Sequence, residues 1–195
     1  ESSSKVRDML LTDASPGMVA QAAARGLNAE PVDEEALPYA PASFDLVVSA
    51  LSLHWVNDLP GTLVQVRRVL EPDGLFVGAL PGAGTLGELR TCLVAALMQR
   101  AGFALPVVDR DSVTVRYDSL FGLLADLKGM GERAAFAPGM GQPLPRRVLM
   151  RAAELYAQKF SDPDGRVRAT FEIIYLSGWS PAPSQPKPLK PGSAT

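Results

Sequence analysis

The segment from Phe44 to Leu51 constrains the fold more than any other part of this chain. Its centre, Leu46-Val47-Val48, is an unbroken apolar run, whereas a strand with one face in water would alternate apolar and polar residues. Continuous apolar strands are typical of parallel sheets that are covered by helices on both faces. We therefore predict that this strand is buried on both faces inside an α/β fold.

Helical and strand patterns alternate along the rest of the chain. We predict helices over 16–25, 59–70, 85–102, 118–127 and 145–160, and strands over 6–12, 27–32, 44–51, 75–80, 107–108, 113–117 and 170–179. Thr85 and Glu88 form a capping-box pattern at the start of the third helix. The alternation predicts a largely parallel sheet in one domain over 1–179, followed by a proline-rich extended tail over 180–195.

Composition excludes several function classes. The net charge is −2 without a basic cluster, so nucleic acid is not a favoured partner. One histidine and one cysteine cannot build a His/Cys zinc site or an internal disulfide, and a single cysteine fits a reducing compartment. No apolar run is long enough to span a bilayer. The Ala, Arg and Pro content suggests a bacterial cytoplasmic protein, with a mitochondrial matrix protein as the alternative.

Acidic residues follow two of the predicted strands. In an open parallel sheet, ligands bind beyond the carboxyl ends of the strands, so Asp13, Asp33 and the segment 50–54 should converge at one crevice. Asp13 can accept hydrogen bonds from ribose hydroxyls, or it can simply cap a helix. Asp33 and Glu34 can accept from an adenine amino group, or they can form a solvated turn. For Glu35 we favour the solvated interpretation.

His54 is the chain's single histidine and lies next to Trp55. Histidine is the natural general base near neutral pH, although a lone histidine more often makes a structural hydrogen bond. Trp55 can stack on a planar group or cover the core. Cys92 lies in an apolar helix, and we expect it to be a core residue rather than a nucleophile.

Several motifs together resemble a known family. They are SFDLVVSALSLHWVNDLP, EPDGLFVGAL, TLGELR, RAGF, DLKGMGE, ATFEIIYLSGW and PLKPGSAT. Over almost its whole length the chain resembles the methyltransferase-like assembly factors of respiratory complex I and their bacterial relatives. These proteins belong to the class I S-adenosylmethionine-dependent methyltransferase superfamily. LHWVNDLP and DLKGMGE are specific motifs, whereas FDLVVS and the acidic turn are shared more widely, including with malonyl-carrier-protein methyltransferases of biotin synthesis.

The resemblance implies a doubly wound, Rossmann-like methyltransferase sheet and S-adenosylmethionine as the cofactor, with no metal. It implies a methyltransferase-type enzyme that acts on a protein substrate in complex I assembly, with an iron–sulfur subunit of complex I as the partner. His54 becomes the candidate catalytic residue, and Trp55 lies on the substrate side. The cofactor-binding residues implied by the resemblance are Asp13, Ala14, Asp33, Glu34, Ser49, Ala50 and Leu51.

Three other functions stay open at this point. Arginine hydroxylation is attributed to the mitochondrial members, but one histidine cannot supply a 2-His-1-carboxylate iron site. The remaining alternatives are a non-catalytic assembly factor and a malonyl-carrier-protein methyltransferase. The family's first strand and its Gly-rich loop are missing before Glu1, and the stretch between Cys92 and Arg100 looks shortened. We interpret both absences as the loss of segments that a longer protein contains. The alternative is a degenerate fold that no longer binds the cofactor.

Overall fold

The computed structural model describes residues 8–82, 87–130 and 145–186, without the side chains of 87–90. The helices are α1 (Pro16–Ala24), α2 (Leu59–Val69), α3 (Gly87–Arg100), α4 (Leu120–Gly129) and α5 (Arg146–Phe160). The strands are β1 (Leu11–Asp13), β2 (Ala29–Pro31), β3 (Phe44–Ala50), β4 (Leu70–Pro81), β5 (Ala104–Tyr117) and β6 (Val167–Trp179). Each predicted element has a counterpart here, and β5 unites two predicted strands. The start of the capping-box pattern, Thr85, lies outside the described residues, as do 6 and 7 of the first predicted strand.

The strands form two sheets. β1 pairs with β2 in parallel, and the second sheet has the order β3-β4-β6-β5. β3 and β4 are parallel, but β6 runs antiparallel to β4. The prediction of a largely parallel sheet therefore fails at β6, whose chain direction a periodicity pattern does not encode.

The chain divides into two compact units, residues 1–111 with 173–195, and residues 112–172. In the second unit, Arg116 bonds to Asp162 at 2.8 Å and to Asp164 at 2.6 Å, and Arg168 bonds to Asp162 at 3.1 Å. The arginines and Asp164 are solvent-exposed, so these ion pairs contribute little stability. Nothing in this division tests the predicted single domain over 1–179, which stays a prediction.

The core of the first unit lies between one face of its larger sheet and helices α2 and α3. Leu63 of α2, Met98 of α3, Phe76 of β4 and Ile174 of β6 are fully buried there. The rings of Phe76 and Phe103 lie 5.6 Å apart between centroids. This packing fixes β3 and β4 and hence the position of their carboxyl ends.

The opposite face of the same sheet is exposed and apolar. Val48 of β3 is 63% exposed and Leu46 is 44% exposed. Val77, Tyr175 and Trp179 are also exposed on this face, which we call the open sheet face. The prediction that β3 is buried on both faces is therefore wrong for the part of the chain that the structure describes. Helices α2 and α3, which contribute buried side chains to the core, pack on the other face of the sheet.

Two further expectations are corrected. Cys92 is exposed on α3 and is not a core residue. The tail is not simply extended at its start, because Ser184 and Gln185 hydrogen-bond to the carboxylate of Asp73 and Ser180 is buried. Residues 187–195 of the predicted tail lie outside the described residues. None of the helices within the described ranges has the length and apolar character needed to cross a membrane.

Candidate functional site

An acidic turn, residues 33–39, follows β2 and begins beside the end of β1. The backbone N–H of Val32 donates to the carbonyl of Asp13 at 3.2 Å, which joins the two strand ends. Within the turn, Asp33 Oδ1 accepts from the N–H of Glu35 at 2.9 Å, and the Asp33 carbonyl accepts from Ala36 at 3.0 Å. The local sequence thus closes its own turn through the short aspartate side chain.

Glu34 lies at the centre of the strand ends. Burial raises its pKa above the ordinary glutamate value, and the negative charges of Asp13 and Asp33 raise it further. A hydrogen bond from Ser52 and the proximity of His54 act in the opposite direction. The structure therefore brings Glu34 together with both aspartates, as the strand-end argument predicted, although the roles of these residues stay predictions.

A hydroxyl pair extends this group toward β3. Ser49 Oγ and Ser52 Oγ lie 2.8 Å apart, and Ser52 in turn contacts Glu34. Ser49 is half-buried and Ala50 is exposed at the end of the strand. Of the predicted residues at this strand end, Ser49 thus connects to Glu34 of the acidic turn through Ser52.

Asp13 has a local partner of its own. Its Oδ1 accepts from the N–H of Ser15 at 2.7 Å, which closes a local turn just before α1 and does not cap the helix, whose N-cap residue is Ser15. A carboxylate has about four acceptor positions, so this bond is compatible with further acceptance from a ligand hydroxyl. Ala14 is exposed between the two residues.

Leu51 turns the chain sharply as it leaves β3. Its φ of 56° is in the left-handed region, which is costly for a residue with a Cβ. Its N–H donates to Ala79 of β4 at 2.9 Å, which holds it in this conformation. The left-handed residue therefore stands at the carboxyl end of β3, where the loop that carries His54 begins.

His54 and Trp55 stand on the loop that follows. Their ring centroids are 5.0 Å apart, with planes tilted by 43°, and both side chains are exposed. Trp55 is 47% exposed, so it does not serve as a cover for the core. The neighbouring Leu53 is buried and anchors this loop in the core.

Arg68 of α2 is a residue of this region that the sequence did not single out. Its guanidinium donates to the carbonyls of Tyr39 at 2.6 Å and Leu37 at 2.8 Å, and to Gln65 Oε1 at 3.0 Å. The fork geometry of arginine suits such donation to several acceptors at once. The side chain of Arg68 therefore connects α2 to the backbone of the acidic turn, about 30 positions earlier in the sequence.

Glu35 makes a tertiary contact that the sequence did not predict, although the contact itself is exposed to solvent. Its Oε1 accepts from the backbone N–H of Asn57 at 2.7 Å and from Asn57 Nδ2 at 3.0 Å. No local signal identifies a pair separated by 22 positions. The expectation of a solvated Glu35 is therefore incomplete, because it did not include this bond to Asn57.

The strand ends present acceptors to a ligand that carries donors. Carboxylates of Asp13, Asp33 and Glu34 and two serine hydroxyls match the hydroxyl and amino donors of an adenosyl group. Within the described ranges, no cluster of three His, Cys, Asp or Glu side chains is arranged to hold a metal ion. The acceptors at this site fit the donors of an adenosyl ligand.

Comparison with known proteins identifies the family. Residues 3–78 match the family described as a methyltransferase domain. The chain is 40% identical to arginine-hydroxylase NDUFAF5, mitochondrial, of Danio rerio, over 97% of this chain and 66% of that protein. It belongs to the class I S-adenosylmethionine-dependent methyltransferase superfamily. Its human NDUFAF5 relative is 42% identical over 84% of this chain and 54% of that protein.

Other superfamily members extend the comparison. The malonyl-[acyl-carrier protein] O-methyltransferase of Gallionella capsiferriformans is 37% identical over 77% of this chain and 57% of that protein. The YcgJ protein of Bacillus subtilis superposes with a TM-score of 0.57 at 17% identity, covering 89% of this chain and 82% of that chain. The predicted Rossmann-like methyltransferase fold is thereby confirmed. The chain spans about half to two thirds of the length of these curated relatives.

Proposed function

We propose that the protein containing this chain binds S-adenosylmethionine and methylates a protein-borne acceptor. One observation carries the proposal: the strand ends of a methyltransferase-superfamily chain gather Asp13, Asp33 and Glu34 next to His54 and its aromatic neighbour. A group of hydrogen-bond acceptors beside an exposed His–Trp pair supplies both a cofactor side and a substrate side.

In this proposal the cofactor supplies an activated methyl group. Asp13 accepts hydrogen bonds from the ribose, and Asp33 with Glu34 accepts from the adenine amino group. Trp55 holds the acceptor group by stacking, and His54 takes the proton that the acceptor loses. Methyl transfer needs positioning and exclusion of water more than strong base catalysis, which suits an arrangement with one histidine.

Calorimetric titration of the full-length protein with S-adenosylmethionine tests the cofactor assignment. We expect saturable binding, and we expect Asp13→Asn to weaken it roughly tenfold or more, because a charge-assisted hydrogen bond is lost. Asp45→Asn, an exposed change on β3, serves as the matched control and should bind like the unaltered protein. No heat at millimolar ligand would refute the proposal.

For the acceptor we propose an iron–sulfur subunit of respiratory complex I, in the bacterial cytoplasm or in the mitochondrial matrix. The sequence similarity to NDUFAF5 supports this choice and also favours a second candidate, arginine hydroxylation, since that is the activity in the relative's name. Mass spectrometry of the subunit from cells with and without the protein separates the two. A gain of one methylene supports methylation, and a gain of one oxygen supports hydroxylation.

Two remaining outcomes are also distinguishable. Methylation of purified malonyl-acyl-carrier protein, in place of any change on the subunit, would assign the function of the bacterial relatives. If Asp13→Ala and His54→Ala variants both restore complex I assembly fully, the protein acts as a scaffold and the catalytic proposal fails.

A further inference from the structure

A pair of hydrogen bonds connects the two halves of the candidate site. Glu35 of the acidic turn accepts at a single oxygen, Oε1, from the backbone N–H of Asn57 at 2.7 Å and from its Nδ2 at 3.0 Å. Both donors converge on one ionised acceptor, and charge-assisted bonds of this kind are roughly twice as strong as neutral ones. The contact is therefore a defined link rather than a chance approach of two loops.

On the cofactor side, Glu35 is part of a turn with little freedom. Its backbone N–H is held by Asp33 at 2.9 Å, and Arg68 fixes the carbonyls of Leu37 and Tyr39. A movement of this turn would therefore carry the Glu35 carboxylate with it.

On the substrate side, Asn57 belongs to a loop that is fixed at both ends. Leu53 is buried in the core, while Asp58 caps α2 by accepting from Gly61 at 2.9 Å. His54 and Trp55 are exposed between these anchors, within three residues of Asn57. The position of Asn57 therefore constrains how the two aromatic rings are presented.

We propose that Glu35 is a positioning residue that couples cofactor binding at the acidic turn to the placement of His54 and Trp55. The inference rests on the proposed function, because it takes the turn as the cofactor side and the aromatic pair as the substrate side. Glu35 does not touch the reacting groups and acts through Asn57. Cofactor contacts fix the position of the rigid turn as a whole, and the hydrogen-bonded pair passes that constraint to the aromatic loop.

Trp55 provides the readout in the full-length protein. Trp179 and any tryptophan outside this chain are replaced by phenylalanine, so that the emission reports Trp55 alone. S-adenosylhomocysteine is the probe, with its Kd measured by calorimetry and the anisotropy of Trp55 measured with and without it. We expect ligand binding to raise the anisotropy in the reference protein and in Glu35→Gln, which keeps the acceptor oxygen.

Glu35→Ala and Asn57→Asp break the link in different ways, the second by placing two carboxylates opposite each other. We expect each to keep the Kd within about threefold of the reference and to lose at least half of the anisotropy rise. The double variant E35Q/N57D should restore it, because the glutamine amide can donate to the new carboxylate. Asp45→Ala is the matched surface control and should respond fully.

The outcomes distinguish a failure of the proposed function from a failure of the proposed coupling through Glu35. Absence of any heat from the reference protein at millimolar ligand refutes the proposed function itself. Ligand binding with a full anisotropy rise in Glu35→Ala, or without any rise in the reference, overturns the coupling alone. If Glu35→Ala fails to fold, as judged by circular dichroism, then Asn57→Asp and its rescue by E35Q/N57D decide the question.

Discussion

Removal of the Arg68 side chain should both destabilise the protein and loosen the acidic turn. Arg68→Ala deletes three hydrogen bonds from a half-buried charged donor, two to backbone carbonyls of the turn and one to Gln65. Bonds to charged groups contribute about 1.5–3 kcal/mol each when buried. Water can reach the half-buried carbonyls in the variant, so we expect a total loss of about 2–4 kcal/mol rather than the full sum.

That loss is large against a typical unfolding free energy of about 5–15 kcal/mol. Arg68→Lys keeps the charge but not the fork, so a lysine cannot serve the same carbonyls in the same geometry. We expect it to recover about half of the loss at most. Arg67→Ala, at the adjacent and also half-buried arginine of α2, is the matched control for loss of a guanidinium and should cost less than about 1 kcal/mol.

Urea unfolding, with midpoints and slopes compared among the three variants and the unaltered protein, measures these differences. Calorimetric titration with S-adenosylmethionine on the same samples shows whether the loosened turn also binds the cofactor more weakly, as we expect. If Arg68→Ala costs no more than Arg67→Ala, the Arg68 hydrogen bonds do not stabilise the turn. If Arg68→Lys is as stable as the unaltered protein, the guanidinium fork is irrelevant.

Three further predictions concern other positions. Gly74→Ala should cost about 1–3 kcal/mol in urea unfolding, because an added Cβ would lie 2.9 Å from a backbone carbonyl oxygen. Gly129→Ala, in a helix where an added Cβ has no neighbour within 4 Å, should be neutral or stabilising, and equal losses of stability in the two variants would contradict this prediction. Glu34→Gln should raise the Tm at neutral pH, because the raised pKa of Glu34 makes its ionisation in the folded state unfavourable as pH rises above 4.5. Calorimetric scans should show the Tm difference between variant and unaltered protein vanishing in acid, and a Tm difference that does not change with pH would contradict this prediction. Tyr39→Phe should cost about 1 kcal/mol in urea unfolding, since the hydroxyl donates to Glu30 Oε1 at 2.5 Å; an unchanged midpoint would mean that this bond adds nothing.

Local patterns predicted the elements well, whereas the contacts between them were not predictable. The helix from Pro16 and the strand from Phe44 are encoded by a proline, a glycine and a run of apolar residues within a few positions. The burial of β3 was mispredicted, because an apolar run indicates that a strand favours burial but does not indicate which elements are present to cover it. The acids at the strand ends followed from topology alone. Arg68 and Glu35 did not, because their partners lie 22 to 31 positions away.

The open sheet face also bears on how this chain behaves at high concentration. β3 is the first strand in its sheet, so within the described residues one of its edges offers unpaired backbone groups alongside the exposed side chains of Leu46 and Val48. A seven-residue strand without proline, with one charged side chain and two exposed apolar side chains, has the composition of an aggregation-prone segment. Exposed apolar side chains and unpaired backbone groups coincide at this strand, so we expect the solubility of this chain to fall before the fold itself is lost.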